Sequence, residues 1–192
     1  MPVPRILAFA GSLRKDSYNK KLVHIAVQGA RSAGAEVTSI DLRDYPLPIY
    51  DGDLEAASGI PENGVKLKKL FVEHDGFLLS CPEYNSSITP VLKNTIDWVS
   101  RPQPGEPSLV AYTGKVATLM SASPGALGGL RGLVHVRSIL GNIGVIVLPG
   151  QIAVSKAHEA FGDDSALKDA KQQASIENLG KTLAEFLRKL KS

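Results

Sequence analysis

The chain has 192 residues, long enough for one domain with a substantial core, and its 22 Lys and Arg against 19 Asp and Glu leave a formal net charge of only +3. That excess is too mild, and too free of basic clusters interleaved with aromatics, for a nucleic-acid binder. A single cysteine, Cys81, excludes a disulfide framework and fits a reducing cytosol, and no apolar run reads as a signal peptide or a membrane span.

Val3 to Ala10 is predicted as a strand buried on both faces, because its apolar run does not alternate. It stops at Gly11. A polar loop follows with Ser12, Arg14, Ser17 and Asn19, and then a helix over Asn19 to Ala33. Ser17 or Asn19 can cap that helix, and Gly34 ends it. Glu36 to Leu42 alternates, as a strand near an edge does. Arg43 to Pro61 holds prolines and glycines and reads as a long irregular connection.

Glu62 to His74 is predicted as a helix and Asp75 to Ser80 as a second buried strand, ending in the polar loop CPEYNSS. Pro90 to Val99 is helical, with proline in the first turn. Arg101 to Tyr112 is irregular. Lys115 to Ser121 is a strand, and the glycine-rich loop ASPGALGGLRG follows it. Leu130 to Leu140 reads as a helix and Gly144 to Leu148 as a short strand, while Gly150 to Phe161 fits either an extended segment or a short helix. Asp164 to Lys191 is the last helix, with Asp163 or Asp164 as its cap and basic residues at its end.

Strands and helices alternate five times without an internal repeat. That pattern predicts an α/β protein, residues 1–192 as one domain, with a flavodoxin-like, doubly wound, five-stranded parallel sheet in the order 2-1-3-4-5 and helices on both faces. In that topology ligands bind at the C-terminal ends of the strands where the winding reverses. The three unusual loops follow strands one, three and four, so they are expected to meet at one sheet edge.

The first loop combines hydroxyls, one guanidinium, an amide and the open start of a helix, a donor set suited to a phosphate. It lacks the G-x-x-x-x-G-K-[ST] and G-x-G-x-x-G patterns, which leaves a monophosphate as its natural ligand; a plain capped turn is the competing reading. Pro82, Glu83, Tyr84 and Asn85 offer a ring, an amide and open backbone to a flat heterocycle, although proline, asparagine and serine also form ordinary turns. Ser121, Ser123 and Gly125 belong to a loop whose glycines allow close approach of a ligand. No G-x-S-x-G elbow surrounds Ser121 or Ser123, the four histidines have no metal-ligand spacing, and Cys81 is expected to be a buried structural thiol.

GSLRKDSYN, then PEYNSSITPVLKNTIDW, then SPGALGGLRG resemble, in that order, the motifs of the NAD(P)H-dependent FMN reductase family, and within it the bacterial quinone, chromate and azo-dye reductases. The likeness runs from about Ile6 to Leu140. It implies noncovalently bound FMN, NADPH or NADH as reductant, quinones, chromate, azo dyes or free flavin as acceptors, and a cytoplasmic homodimer or homotetramer. It also implies that Ser12, Arg14, Ser17 and Asn19, beside Gly11, contact the phosphate. Pro82 to Asn85 would follow the ribityl chain and ring, and Ser121, Ser123 and Gly125 the ring's other edge. Arg101 and Arg131 would help place a nicotinamide nucleotide or an anionic acceptor. An electron carrier that docks to partner proteins is the alternative, and the positive net charge argues against it.

Overall fold

A computed structural model describes residues 2–191. In chain order its elements are β1 (Arg5–Ala10), α1 (Tyr18–Ser32), β2 (Glu36–Ser39), α2 (Gly52–Ser58), α3 (Glu62–Glu73), β3 (Gly76–Ser80), β4 (Glu83–Tyr84), β5 (Ser87–Ile88), α4 (Pro90–Ser100), β6 (Val116–Ala122), α5 (Leu130–Asn142), β7 (Ile146–Val154), α6 (Ala157–Ala160) and α7 (Ala170–Leu190). The main sheet is parallel and runs β2-β1-β3-β6-β7, the expected doubly wound order, with β2 and β7 as its edges.

The central strands have no polar face because both faces are covered. Ile6, Ala8, Leu78, Val116 and Met120 point toward the layer that contains Leu22, Ala26 and Ala30 of α1 and Ile176, Leu183 and Leu187 of α7. Leu7, Phe9, Phe77, Leu79, Ala117 and Leu119 point the other way, into the layer of Leu67 and Phe71 of α3, Leu92 and Ile96 of α4, and Leu133 and Val136 of α5. The period-two alternation of the pleat is what divides one apolar run between two cores.

Four expectations change in detail. The connection over residues 43–61 is not wholly irregular: Asp51 caps α2 by accepting from the Asp53 N–H at 2.8 Å, and Gly59, at φ 72°, ends it. The glycines that looked like breakers are the helix boundaries, and no residue of α2 is buried, so no apolar face announced it. The loop after Cys81 is a hairpin, β4 pairing with β5 across Asn85 and Ser86, which sit at φ 49° and 68°. A two-residue turn with both central residues at positive φ matches the right-handed twist of its strands. The last strand continues through Pro149 and Gly150 to Val154, with its register slipping between Ala117 and Leu119 of β6. Proline is tolerated there because β7 is an edge. Finally, α7 begins at Ala170, and Asp169, not Asp163 or Asp164, caps it by accepting from the N–H groups of Lys171 and Gln172. Asp164 instead closes a local turn onto the Ala166 N–H at 3.0 Å.

Candidate active site at the strand ends

The ends of β3 and β6 are tied together by Asn19 in the first turn of α1. Its Oδ1 accepts from the Ser80 hydroxyl at 2.9 Å and from the Ala122 N–H at 3.0 Å, and its Nδ2 donates to the Ala122 carbonyl at 2.8 Å. The side chain is buried, and both its oxygen and its nitrogen are engaged within the fold, so its amide serves the fold. This departs from the role expected for Asn19: the three loops do converge, and Asn19 is one of the residues that hold them together.

The remaining donors of the first loop stay open. Ser17 occupies the N-cap position of α1, is buried, and makes no side-chain capping bond. The Tyr18 and Asn19 N–H groups have no carbonyl acceptor among the described residues. Ser12 is buried, and its Oγ accepts from the Arg14 N–H at 3.3 Å. Arg14 is exposed, and its guanidinium has no carboxylate partner among the described residues. An unused hydroxyl, two free helix-start amides and one unpaired guanidinium fit a phosphate both in charge and in donor count. Beside them lies a pocket of about 370 Å³, lined by Gly11 to Arg14, Tyr84, Thr89, Pro90 and Val91.

Thr89 was not visible as a site residue in the sequence. Its hydroxyl donates to the Gly11 carbonyl at 2.7 Å and accepts from the Leu92 N–H at 3.3 Å, so one side chain caps α4 and anchors the first loop to it. The Thr-Pro pair at a helix start was the available signal, and it reads only as a cap.

In the hairpin, Pro82 is buried and the Tyr84 ring is half exposed. Asn85 stands at the turn with no side-chain partner among the described residues. Glu83 is different: its Oε1 accepts from the Arg131 guanidinium at 2.5 Å and 3.0 Å, and its Oε2 accepts from the Gly132 N–H at 3.1 Å. Burial opposes its ionisation, but the hydrogen bonds from Arg131 and Gly132, together with the Arg131 charge, outweigh that and hold the carboxyl below its ordinary value. Stability from this link is therefore complete at neutral pH and is lost as pH falls through the depressed value. Glu83→Gln should lower the melting temperature at pH 7, and the gap to the parent should narrow as pH falls from 6 to 3; a gap independent of pH would refute the assignment.

Of the third loop, Ser121 is buried with its Oγ unpartnered and in close packing against Gly129, and it is not part of the pocket lining. The Ser123 hydroxyl accepts from the Gly125 N–H at 3.2 Å, closing the turn, and Gly125 is exposed. Arg101 lies elsewhere, donating to Glu55 at 2.9 Å over the Tyr50 ring. Both arginines expected to meet a substrate, Arg101 and Arg131, are thus already ion-paired within the chain.

Among the described residues no cysteine nucleophile is presented. Cys81 is fully buried, and desolvation pushes its thiol up to about 12. No cluster of His, Cys, Asp or Glu among the described residues is arranged to hold a metal. The site is a donor-rich anion seat beside a mostly apolar pocket, which suits a bound cofactor better than side-chain catalysis.

Comparison with known proteins agrees. The model of the NADPH-dependent FMN reductase family matches residues 4–159. An NAD(P)H-dependent FMN reductase of Pseudomonas aeruginosa is 34% identical over 189 residues, covering 97% of both chains. An NAD(P)H:quinone oxidoreductase of Solanum tuberosum is 39% identical over 140 residues, 72% of this chain and 68% of its own. Among solved structures, the flavoenzyme NAD(P)H:(acceptor) oxidoreductase FerB of Paracoccus denitrificans superposes with a TM-score of 0.81 at 28% identity, over 97% of this chain and 98% of that one.

Proposed function

The chain belongs to the NADPH-dependent FMN reductase family, and from that premise we propose that the strand-end crevice holds FMN, that NADPH or NADH reduces it, and that quinones or other small oxidants such as chromate, azo dyes or free flavin reoxidise it. It is an NAD(P)H-dependent oxidoreductase with a flavodoxin-like fold. The observation that carries the proposal is the set of unused donors around Ser17 at the start of α1, next to the pocket walled by Tyr84.

Bound FMN supplies the hydride-accepting and hydride-donating chemistry. Ser12, Arg14, Ser17 and the N–H groups of Tyr18 and Asn19 hold the phosphate monoester. Pro82 to Asn85 would follow the ribityl chain and one ring edge, with Tyr84 as an apolar wall, and the Ser123 to Gly125 turn, whose own N–H groups are already bonded to Val154 and Ser123, would close the other edge by close approach of its backbone. Asn19 and Thr89 fix the relative positions of these loops and so set where the ring lies. The nucleotide and the acceptor use the same open face in turn, a ping-pong order that needs no side-chain nucleophile. The whole chain acts as one FMN-binding unit, in the cytoplasm, where Cys81 stays reduced.

The test is direct. Purified protein incubated with FMN should retain the flavin through gel filtration, bleach under anaerobic NADPH or NADH, and recover its colour on adding a quinone. A protein that neither binds FMN nor oxidises either nucleotide overturns the proposal. Reduction only by a partner protein, with no response to nicotinamide, would indicate an electron carrier.

A homodimer or homotetramer is part of this reading. Leu127, Leu130 and Val134 follow one another at helical spacing into α5 and are 50%, 44% and 58% exposed, an apolar stripe that a second copy would cover. Val134→Glu should convert the oligomer to monomer in sedimentation analysis, and a parent that already sediments as a monomer at micromolar concentration would refute it.

A further inference from the structure

Two pockets adjoin at the strand ends. The first is the FMN pocket beside Tyr84. The second, about 360 Å³, lies across Leu13 and Val91, which line both. Its far wall is the stretch after β2, including Tyr45 and Leu47. That stretch is tethered although it is irregular: the Asn94 Nδ2 and the Trp98 Nε1 each donate to the Pro48 carbonyl at 2.8 Å, and the Tyr50 N–H donates to the Asn94 Oδ1 at 2.8 Å. A wall held by three hydrogen bonds is formed before any ligand arrives, which lowers the ordering cost of binding.

The charge of the double pocket is one-sided. No carboxylate lines either half, whereas Arg14 lines one and Arg43 the other. Arg14 is assigned to the phosphate. The Arg43 guanidinium has no hydrogen-bond or ion-pair partner among the described residues. Asp41, whose carboxylate lies within electrostatic reach of Arg43, already accepts from the Lys20 Nζ at 2.7 Å. Arg43 is thus a cation without a direct side-chain partner among the described residues, with Asp41 shared with Lys20 nearby, at a pocket that shares a wall with the proposed flavin pocket.

We infer that the second pocket is the acceptor subsite and that Arg43 makes the enzyme favour flat aromatic oxidants bearing an anionic substituent, such as sulfonated quinones, over neutral ones of similar ring size. The inference rests on the reductase reading above. In turnover the acceptor gains two electrons and two protons, a hydride equivalent originating in NAD(P)H and a proton from water. It leaves as the quinol with its sulfonate unchanged. Because Arg43 is exposed, its charge is partly screened, and a selectivity of about three- to tenfold is the reasonable scale.

The experiment compares the FMN-loaded full chain with Arg43→Gln and Arg43→Lys. Acceptors are 1,4-naphthoquinone-2-sulfonate and 2-methyl-1,4-naphthoquinone, at low and high salt. In parallel, equilibrium dialysis measures binding of the sulfonate to the oxidised proteins without nucleotide. The ratio of kcat/KM, sulfonate over methyl, should fall about three- to tenfold in Arg43→Gln, through KM, and be largely kept in Arg43→Lys. Added salt should erode it in the parent, and dialysis should show the same loss of affinity in Arg43→Gln. An unchanged ratio, or an effect confined to the KM for NADPH, overturns the inference. If the parent turns over neither quinone, the reductase reading fails, and dialysis still decides the pocket: sulfonate binding that depends on Arg43 supports it, and binding indifferent to Arg43 overturns it.

Discussion

Gly180→Ala should destabilise the fold by about 3 kcal/mol, the upper end for a core overpacked by one methyl group. Helix propensity alone predicts the opposite sign, because alanine is favoured over glycine in a helix interior by about 1 kcal/mol. Packing decides. Gly180 of α7 lies against α1, where an added Cβ would overlap the Ala26 carbonyl, and the reciprocal contact places Gly29 of α1 against the Glu177 carbonyl. Both obstacles are backbone atoms, so no rotamer change relieves them and the helices must move apart. The effect reaches the site because α1 is the helix whose N-cap is Ser17 and whose first turn carries the open amides. Urea denaturation of parent and variant measures it. A midpoint that is unchanged or raised would mean that the two helices do not meet through their glycines.

Arg14→Ala should weaken FMN retention by about ten- to a hundredfold, the scale of a lost charge-assisted hydrogen bond to a phosphate. The same change should leave the melting temperature of the FMN-free protein nearly where it was. Arg14 is exposed, and no fold contact of its guanidinium would be lost. Fluorescence titration with FMN gives the affinity, and a melt without FMN gives the stability. Unchanged affinity would remove the phosphate from this loop. A parallel loss of stability would make Arg14 a structural residue. Asn19→Ala should behave in the opposite way, because its three buried hydrogen bonds join strand ends and leaving their partners unsatisfied costs stability first.

The strands were legible because burial on both faces leaves a signature that survives without context: Ile6 to Ala10 and Phe77 to Leu79 contain no polar residue. The helix α2 was not legible, since it buries nothing and its boundaries are glycines. The start of α7 was misplaced because Asp164 and Asp169 are both good caps, and the choice between them depends on Leu167, which enters the core beside α1 and pulls the intervening segment into a turn. In the hairpin, Asn85 and Ser86 were recognised as turn formers, but strand pairing across a two-residue turn needs Ile88 and Glu83 to find each other in register.

By itself, the sequence determined the alternation of elements and the three strand-end loops, with a phosphate-type donor set in the first; the winding order was the common one for five such strands, and the sheet has it. The elements and loops depend on local composition and period, which a chain carries along its length. Only the tertiary structure decided which of those donors remain available. Asn19 is occupied by Ala122, 103 positions away, while Ser17 is left open. Arg131 is neutralised by Glu83 and Arg101 by Glu55, while Arg43 has no such partner. A side chain's role depends on what the fold brings within about 3 Å of it, and hydrogen bonds and ion pairs between distant segments leave no periodic trace in the chain.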